Sequence, residues 1–271
     1  MEKTRYNDIP HKLLLGLTYL IIMSVIGGII SLIIYQIMLN AHPNNPNNEI
    51  FTITLANFLS YFLLAFVFVF VLRDYYKNEF QSFSKNILLY LGFAIGGFIL
   101  NYFLSAVIQE IYNAVGFESR DTANQETISE TLKYPLLSIP MIIFGAPLVE
   151  ETIFRGVVFN YFRNLKLKNN LNIILGFIFS SSLFGLIHVF STFITTGDVT
   201  ELILVLPYVA AGFVLTLLYY KTNNLFVPML MHFLQNSFAV VVILFFLPLL
   251  QSEENPVKSL IMLILHYFHL L

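Results

Sequence analysis

The chain has 271 residues, 57% of them hydrophobic, 16% aromatic and only 11% charged, with a formal net charge of -2 at pH 7 and no cysteine. Ordinary globular chains carry roughly a quarter charged residues, and without them no water-facing shell can be built, so a soluble enzyme, a secreted scaffold and a nucleic-acid binder are disfavoured. The 14 Lys+Arg against 16 Asp+Glu offer no basic field to a polyanion, and the missing cysteine excludes disulfides, thiolate metal sites and a cysteine nucleophile.

The first apolar run, residues 13–39, is free of charge over 27 residues, longer than the roughly 20 that span a hydrocarbon core. It follows Lys3, Arg5 and Lys12, but it is too long for a signal-peptide core and lacks an A-x-A-like exit, which predicts an uncleaved first helix. Residues 42–48, HPNNPNN, form a turn. Spans at 51–72 and 87–115 follow, separated by a cluster of Arg73, Lys77 and Lys85. Residues 116–133 are the longest polar stretch, with Glu118, Asp121, Glu126 and Glu130, and read as an external loop or short surface helix. Further spans are expected at 134–162, 173–190, 201–220 and 225–250, then a short one at 258–271 with His266 and His269, whose alternative is an interfacial helix. With the N-terminus inside, these eight spans put 11 of the 14 Lys+Arg in cytoplasmic segments and only 3, Arg120, Lys133 and Lys258, outside, as the positive-inside rule requires. The expectation is therefore all-α: a polytopic transmembrane helix bundle of about eight spans, multi-pass in the cell membrane, both termini cytoplasmic. It forms one membrane domain over 1–271, without internal repeats, and its motif-bearing core is 134–250.

Polar residues inside such spans are costly and mark candidate sites. PLVEETIFRG sets Glu150, Glu151 and Arg155 in the fourth span. On a helix Glu151 and Arg155 are i,i+4 neighbours and can pair. Glu150 stands about 140° round the helix from Arg155 and has no local counter-ion. The alternative makes these charges a solvated helix end. FGLIHVF places Phe184 one turn before His188 in the fifth span, and MLMHFLQNSF places His232 and Asn236 at i,i+4 in the seventh. Taken singly, these are ordinary polar helix contacts. At about 1.5 Å per residue from the presumed cytoplasmic ends, Glu150, His188 and His232 stand at about 20, 22 and 17 Å, one layer, provided that the fourth helix continues down to Arg163. A carboxylate without a counter-ion suits a general base, an imidazole can share its proton, and His and Asn donate to a developing oxyanion. With no cysteine and no Ser or Thr in the constellation, that chemistry is direct attack of water on a carbonyl. Glu150, His188 and His232 read equally as three zinc ligands with a fourth position for water. Spacing does not separate the two readings, and there is no HExxH motif.

In EETIFR (150–155), FGLIH (184–188) and HFLQN (232–236) the sequence resembles the CPBP intramembrane proteases, whose pattern is EExxxR, FxxxH and HxxxN. That family includes the CAAX-prenyl endopeptidases and bacterial proteins tied to bacteriocin processing or self-immunity. The resemblance covers 134–250, departs from the pattern at no motif position, and leaves the first three helices as scaffold. It implies a peptidase with the catalytic set Glu150, Glu151, His188, His232 and Asn236. Glu150 and His188 would activate water, and His232 and Asn236 would stabilise the oxyanion. Glu151 and Arg155 would orient the site, with Phe184 packed beside His188. Members are commonly classed as metalloproteases. Glutamate-activated water without a cofactor is the favoured expectation, and a divalent metal such as zinc on Glu150, His188 and His232 is the alternative. The implied partners are a peptide or protein substrate and membrane lipid, with no nucleic acid. The substrate could be a membrane-associated or secreted peptide. A non-enzymatic immunity or partner-binding protein is the competing class. A proton-relay transporter is a third, but it expects repeated halves that the sequence lacks.

Overall fold

The computed structural model describes residues 9–117 and 120–246, and among them all regular structure is helical. In chain order the helices are α1 (Lys12–Ala41), α2 (Asn48–Val71), α3 (Arg73–Lys85), α4 (Ile87–Ala114), α5 (Ala123–Thr131), α6 (Pro135–Arg163), α7 (Leu171–Thr196), α8 (Thr200–Thr222) and α9 (Phe226–Phe246). All except α3 and α5 are long and apolar enough to cross a bilayer, seven spans among the described residues. Their outward faces carry Leu88, Phe70 and Leu32 at 84%, 76% and 71% exposure, which only hydrocarbon can cover without a penalty. The chain is a multi-pass membrane protein, and each span starts within three residues of its expected position. The expected eighth span at 258–271, with His266 and His269, and the end of the seventh lie outside the described residues.

Two helices lie outside the spans, and the second is the short surface helix that the reading of residues 116–133 allowed for. Residues 73–85, read only as a cation cluster, form α3. The helix buries Tyr75, Tyr76 and Glu79 on one face and docks on the turn between α8 and α9: the Leu225 backbone N–H donates to Glu79 Oε2 at 2.6 Å and Asn224 Nδ2 to the Glu79 carbonyl at 2.8 Å. Within the polar stretch 116–133, α5 begins at a capping box, with the Gln125 N–H donating to Thr122 Oγ1 and the Thr122 N–H to Gln125 Oε1. Such a box satisfies donors that a helix start leaves open.

Helix α6 is irregular where it matters. Pro140 and Pro147 remove two backbone donors, and π-helical turns run over Met141–Gly145 and again over Thr152–Phe159, on either side of Glu150 and Glu151. π-Turns inside helices recur at functional sites because they re-aim side chains. Beside α6, α7 and α8 cross at short range. A Cβ on Gly185 would lie 2.6 Å from a Val209 methyl group, and one on Gly212 would lie 2.9 Å from the Ser181 carbonyl oxygen. Glycine at both positions lets the two backbones approach and brings Phe184 against α6. Elsewhere Gly27 packs against Ser60 and Gly97 against Leu218, whereas Gly28 and Gly96 face open space.

Candidate active site

The three motifs meet around one aromatic ring. The Phe184 ring centroid lies 4.9 Å from that of His188 and 5.8 Å from that of His232, and 4.6 Å from the guanidinium carbon of Arg155. Three helices, α6, α7 and α9, are joined there, and Phe184 itself is buried. Phe184 thus brings His188 and His232 to one level beside Arg155, and α6 continues to Arg163 as the residue count required.

Electrostatics follow from a chain of bonds. Glu151 and Arg155 are fully buried. Arg155 Nη1 donates to Glu151 Oε1 at 2.9 Å, and Nη2 donates to the Gly212 carbonyl on α8 at 2.9 Å. The same Glu151 Oε1 accepts from His232 Nδ1 at 2.9 Å. Glu151 is therefore a bridge between a cation and an imidazole rather than a free carboxylate. In the arrangement seen, His232 carries its proton on Nδ1, which leaves Nε2 as the nitrogen that faces chemistry. His188 is set the same way: its Nδ1 lies 2.7 Å from the Phe184 carbonyl oxygen, and a carbonyl can only accept. Both imidazoles thus present Nε2.

Glu150 differs from its neighbour. Among the described residues no cation is in ion-pair contact with it; its Oε1 accepts from the Tyr61 hydroxyl at 2.7 Å, and its buried Oε2 has no hydrogen-bond partner. A buried acceptor left open is uncommon and points to a role or a bound water. Asn236 donates one Nδ2–H to the Ile142 carbonyl at 2.7 Å, so its second N–H is free for another acceptor. Sequence reasoning missed Tyr61, the Gly212 carbonyl and Tyr208, whose ring stacks on His188 at 4.6 Å and 20°. Tyrosine occurs 15 times in this chain, so neither tyrosine stood out.

Among the described residues no three His, Asp or Glu side chains are gathered as ligands for a metal ion, and Glu151, the carboxylate nearest His232, is already held by Arg155. As placed, Glu150, His188 and His232 do not fit a metal, and no step below runs through one.

Comparison with known proteins agrees with the motif reading. Residues 132–238 match the family model described as type II CAAX prenyl endopeptidase Rce1-like. The chain is 28% identical over 185 residues to the putative membrane peptidase YdiL of Bacillus subtilis, an alignment covering 68% of this chain and 69% of that protein. It is 30% identical over 172 residues to UPF0177 protein YaiH of Lactococcus lactis, with 63% and 64% covered. To the membrane-embedded CAAX protease MroQ of Staphylococcus aureus it is 31% identical over 152 residues, with 56% and 55% covered. The chain thus spans roughly two thirds of the first two relatives and about half of the third. No solved structure matches it.

Proposed function

We propose, from the premise that residues 132–238 form an Rce1-like segment, that this protein is an intramembrane endopeptidase that hydrolyses a peptide bond with water activated by Glu150. The observation that carries the reading is the Glu150 carboxylate: one oxygen is fixed by Tyr61, and the buried other has no hydrogen-bond partner among the described residues. It can accept a proton from water as the oxygen attacks the carbonyl carbon. The oxyanion that forms accepts the free Asn236 N–H, beside the His232 imidazole. With Nδ1 of His232 committed to Glu151, the ring is fixed in orientation and presents Nε2 to the site. The proton held by Glu150, relayed through His188 Nε2, then goes to the amide nitrogen, the C–N bond breaks, and a carboxylate and an amine leave. Water and one peptide bond are consumed, with no acyl-enzyme.

The substrate follows from location: a peptide segment that reaches the layer of Glu150 within the bilayer, on a membrane-associated or secreted precursor such as a bacteriocin peptide. Mapping of new peptide ends by mass spectrometry in cells carrying the wild type or His188→Ala tests this. Ends on membrane-associated peptides should appear with the wild type and vanish with the variant. Identical end profiles at equal protein level would favour the immunity or partner-binding reading.

A further inference from the structure

The polar segment between α4 and α6 is tied to the site through one tyrosine. At the rim, Arg120 Nη2 donates to Asp198 Oδ2 at 2.8 Å and to Thr200 Oγ1 at 3.1 Å, and its Nη1 lies 3.0 Å from Glu201 Oε1. These contacts fasten the loop before α5 to the turn between α7 and α8. Burial works against the Arg120 charge, but Glu201 and then Asp198 hold its pKa above the ordinary guanidinium value. Two residues on, Thr122 is buried, and its hydroxyl lies 2.8 Å from the Tyr208 hydroxyl, with Asn124 Nδ2 donating to the same oxygen at 3.5 Å. Tyr208 belongs to the first turns of α8, and its ring lies flat against His188. His188 is thus held in plane by the Phe184 carbonyl and on one face by Tyr208.

We propose that Tyr208 is a positioning residue for His188, and that the Thr122–Tyr208 hydrogen bond couples the extramembrane clasp around Arg120 to the geometry of the site. The proposal rests on the endopeptidase reading for its catalytic consequence, though not for its geometry. Two features argue for it. The stack fixes the one ring rotation that the Nδ1 bond leaves loose, and a displacement of about 1 Å at a reacting group can cost up to a hundredfold in rate. The hydroxyl contact joins the clasp to a motif residue: Thr122 touches Tyr208, and Tyr208 touches His188. A segment that docks on or displaces α5 would therefore be felt at Nε2 of His188 without touching it.

The test compares purified full-length Tyr208→Leu, Tyr208→Phe, Thr122→Val and Thr122→Ser with wild type, using the cleaved precursor peptide and NMR of ¹³C-labelled histidine. Tyr208→Leu should lower kcat about tenfold or more with KM unchanged. Tyr208→Phe and Thr122→Val should each lower it about fivefold, the worth of one hydrogen bond, the double variant should be no worse than either, and Thr122→Ser should restore activity. The ring-current displacement of the His188 resonance should vanish in Tyr208→Leu and shift in Thr122→Val. If Tyr208→Leu keeps wild-type kcat and His188 shift while Glu150→Gln is inactive, the positioning role is overturned and the endopeptidase reading stands. If the wild type itself does not cleave, the endopeptidase reading falls, and the His188 resonance alone still decides whether Tyr208 holds the ring.

Discussion

Replacing Arg155 by methionine separates the cost of breaking a buried ion pair from that of losing packing. Arg155 is fully buried, donates to Glu151 and to the Gly212 carbonyl, both at 2.9 Å, and lies over the Phe184 ring at 4.6 Å. Methionine fills similar volume, but Glu151 keeps only His232, and the Gly212 carbonyl loses its donor. Removing one partner of a buried pair costs about 3–5 kcal/mol, because the other charge is left uncompensated. For a chain of this size that is a fall in Tm on the order of 10 °C. The double variant Arg155→Met/Glu151→Leu removes both charges and should recover most of the loss, since a buried pair replaced as a whole is close to neutral. It should not recover cleavage, because His232 has then lost the carboxylate that orients it. Thermal unfolding in detergent followed by intrinsic tyrosine fluorescence reads both variants. A single variant within about 2 °C of wild type, or a double variant no better than the single, would refute the assignment of Glu151 as an ionised bridge.

The glycine crossing gives a paired prediction: Gly212→Ala drives a Cβ to 2.9 Å from the Ser181 backbone and should destabilise by about 1–3 kcal/mol, as overpacking does, whereas Gly96→Ala meets nothing within 4 Å and should be neutral or stabilising by up to about 1 kcal/mol; thermal unfolding compares them. At the rim, Thr200 donors and then Arg120 hold the Asp198 carboxyl below the ordinary value. A depressed carboxyl contributes stability above its unfolded pKa that is lost as pH falls through the folded one, so the clasp should be intact at neutral pH and loosen only below about pH 4. Asp198→Asn should mimic that loss at pH 7 and speed tryptic cleavage after Arg120; an unchanged rate would show that the ion pair does not restrain the loop. Chelator treatment followed by metal analysis should leave cleavage intact, and activity restored only by added zinc would return the site to the metal alternative.

How far the sequence reached is clearest at Glu150. In a chain with 11% charged residues, a carboxylate amid apolar neighbours is conspicuous, and its lack of a cation followed from helix geometry alone. The same arithmetic gave the Glu151–Arg155 pair. It did not give the link from Glu151 to His232, which spans 81 positions and depends on how α6 packs on α9. Nor did it reveal Tyr61 or Tyr208, whose signal is a hydroxyl or ring direction that only tertiary packing fixes. Helix α3 was legible in principle: Tyr75, Tyr76 and Glu79 recur at helical spacing, but the surrounding cations drew attention to topology instead. The π-turns of α6 have local causes in Pro140 and Pro147, yet their extent over Thr152–Phe159 was not foreseeable from propensity. Expectations made from charge and spacing thus held where one helix decided them, and stopped where two helices had to meet.

The central claim is that Glu150 activates the attacking water. Its most direct test is the cleavage rate of purified Glu150→Gln in proteoliposomes against wild type, with equal Tm establishing that the fold is kept. Glutamine preserves the Tyr61 contact and the shape but cannot take a proton. A loss of roughly 10²–10⁴-fold, the range of general-base catalysis, is the predicted result, and a variant that cleaves within about threefold of wild type would contradict it.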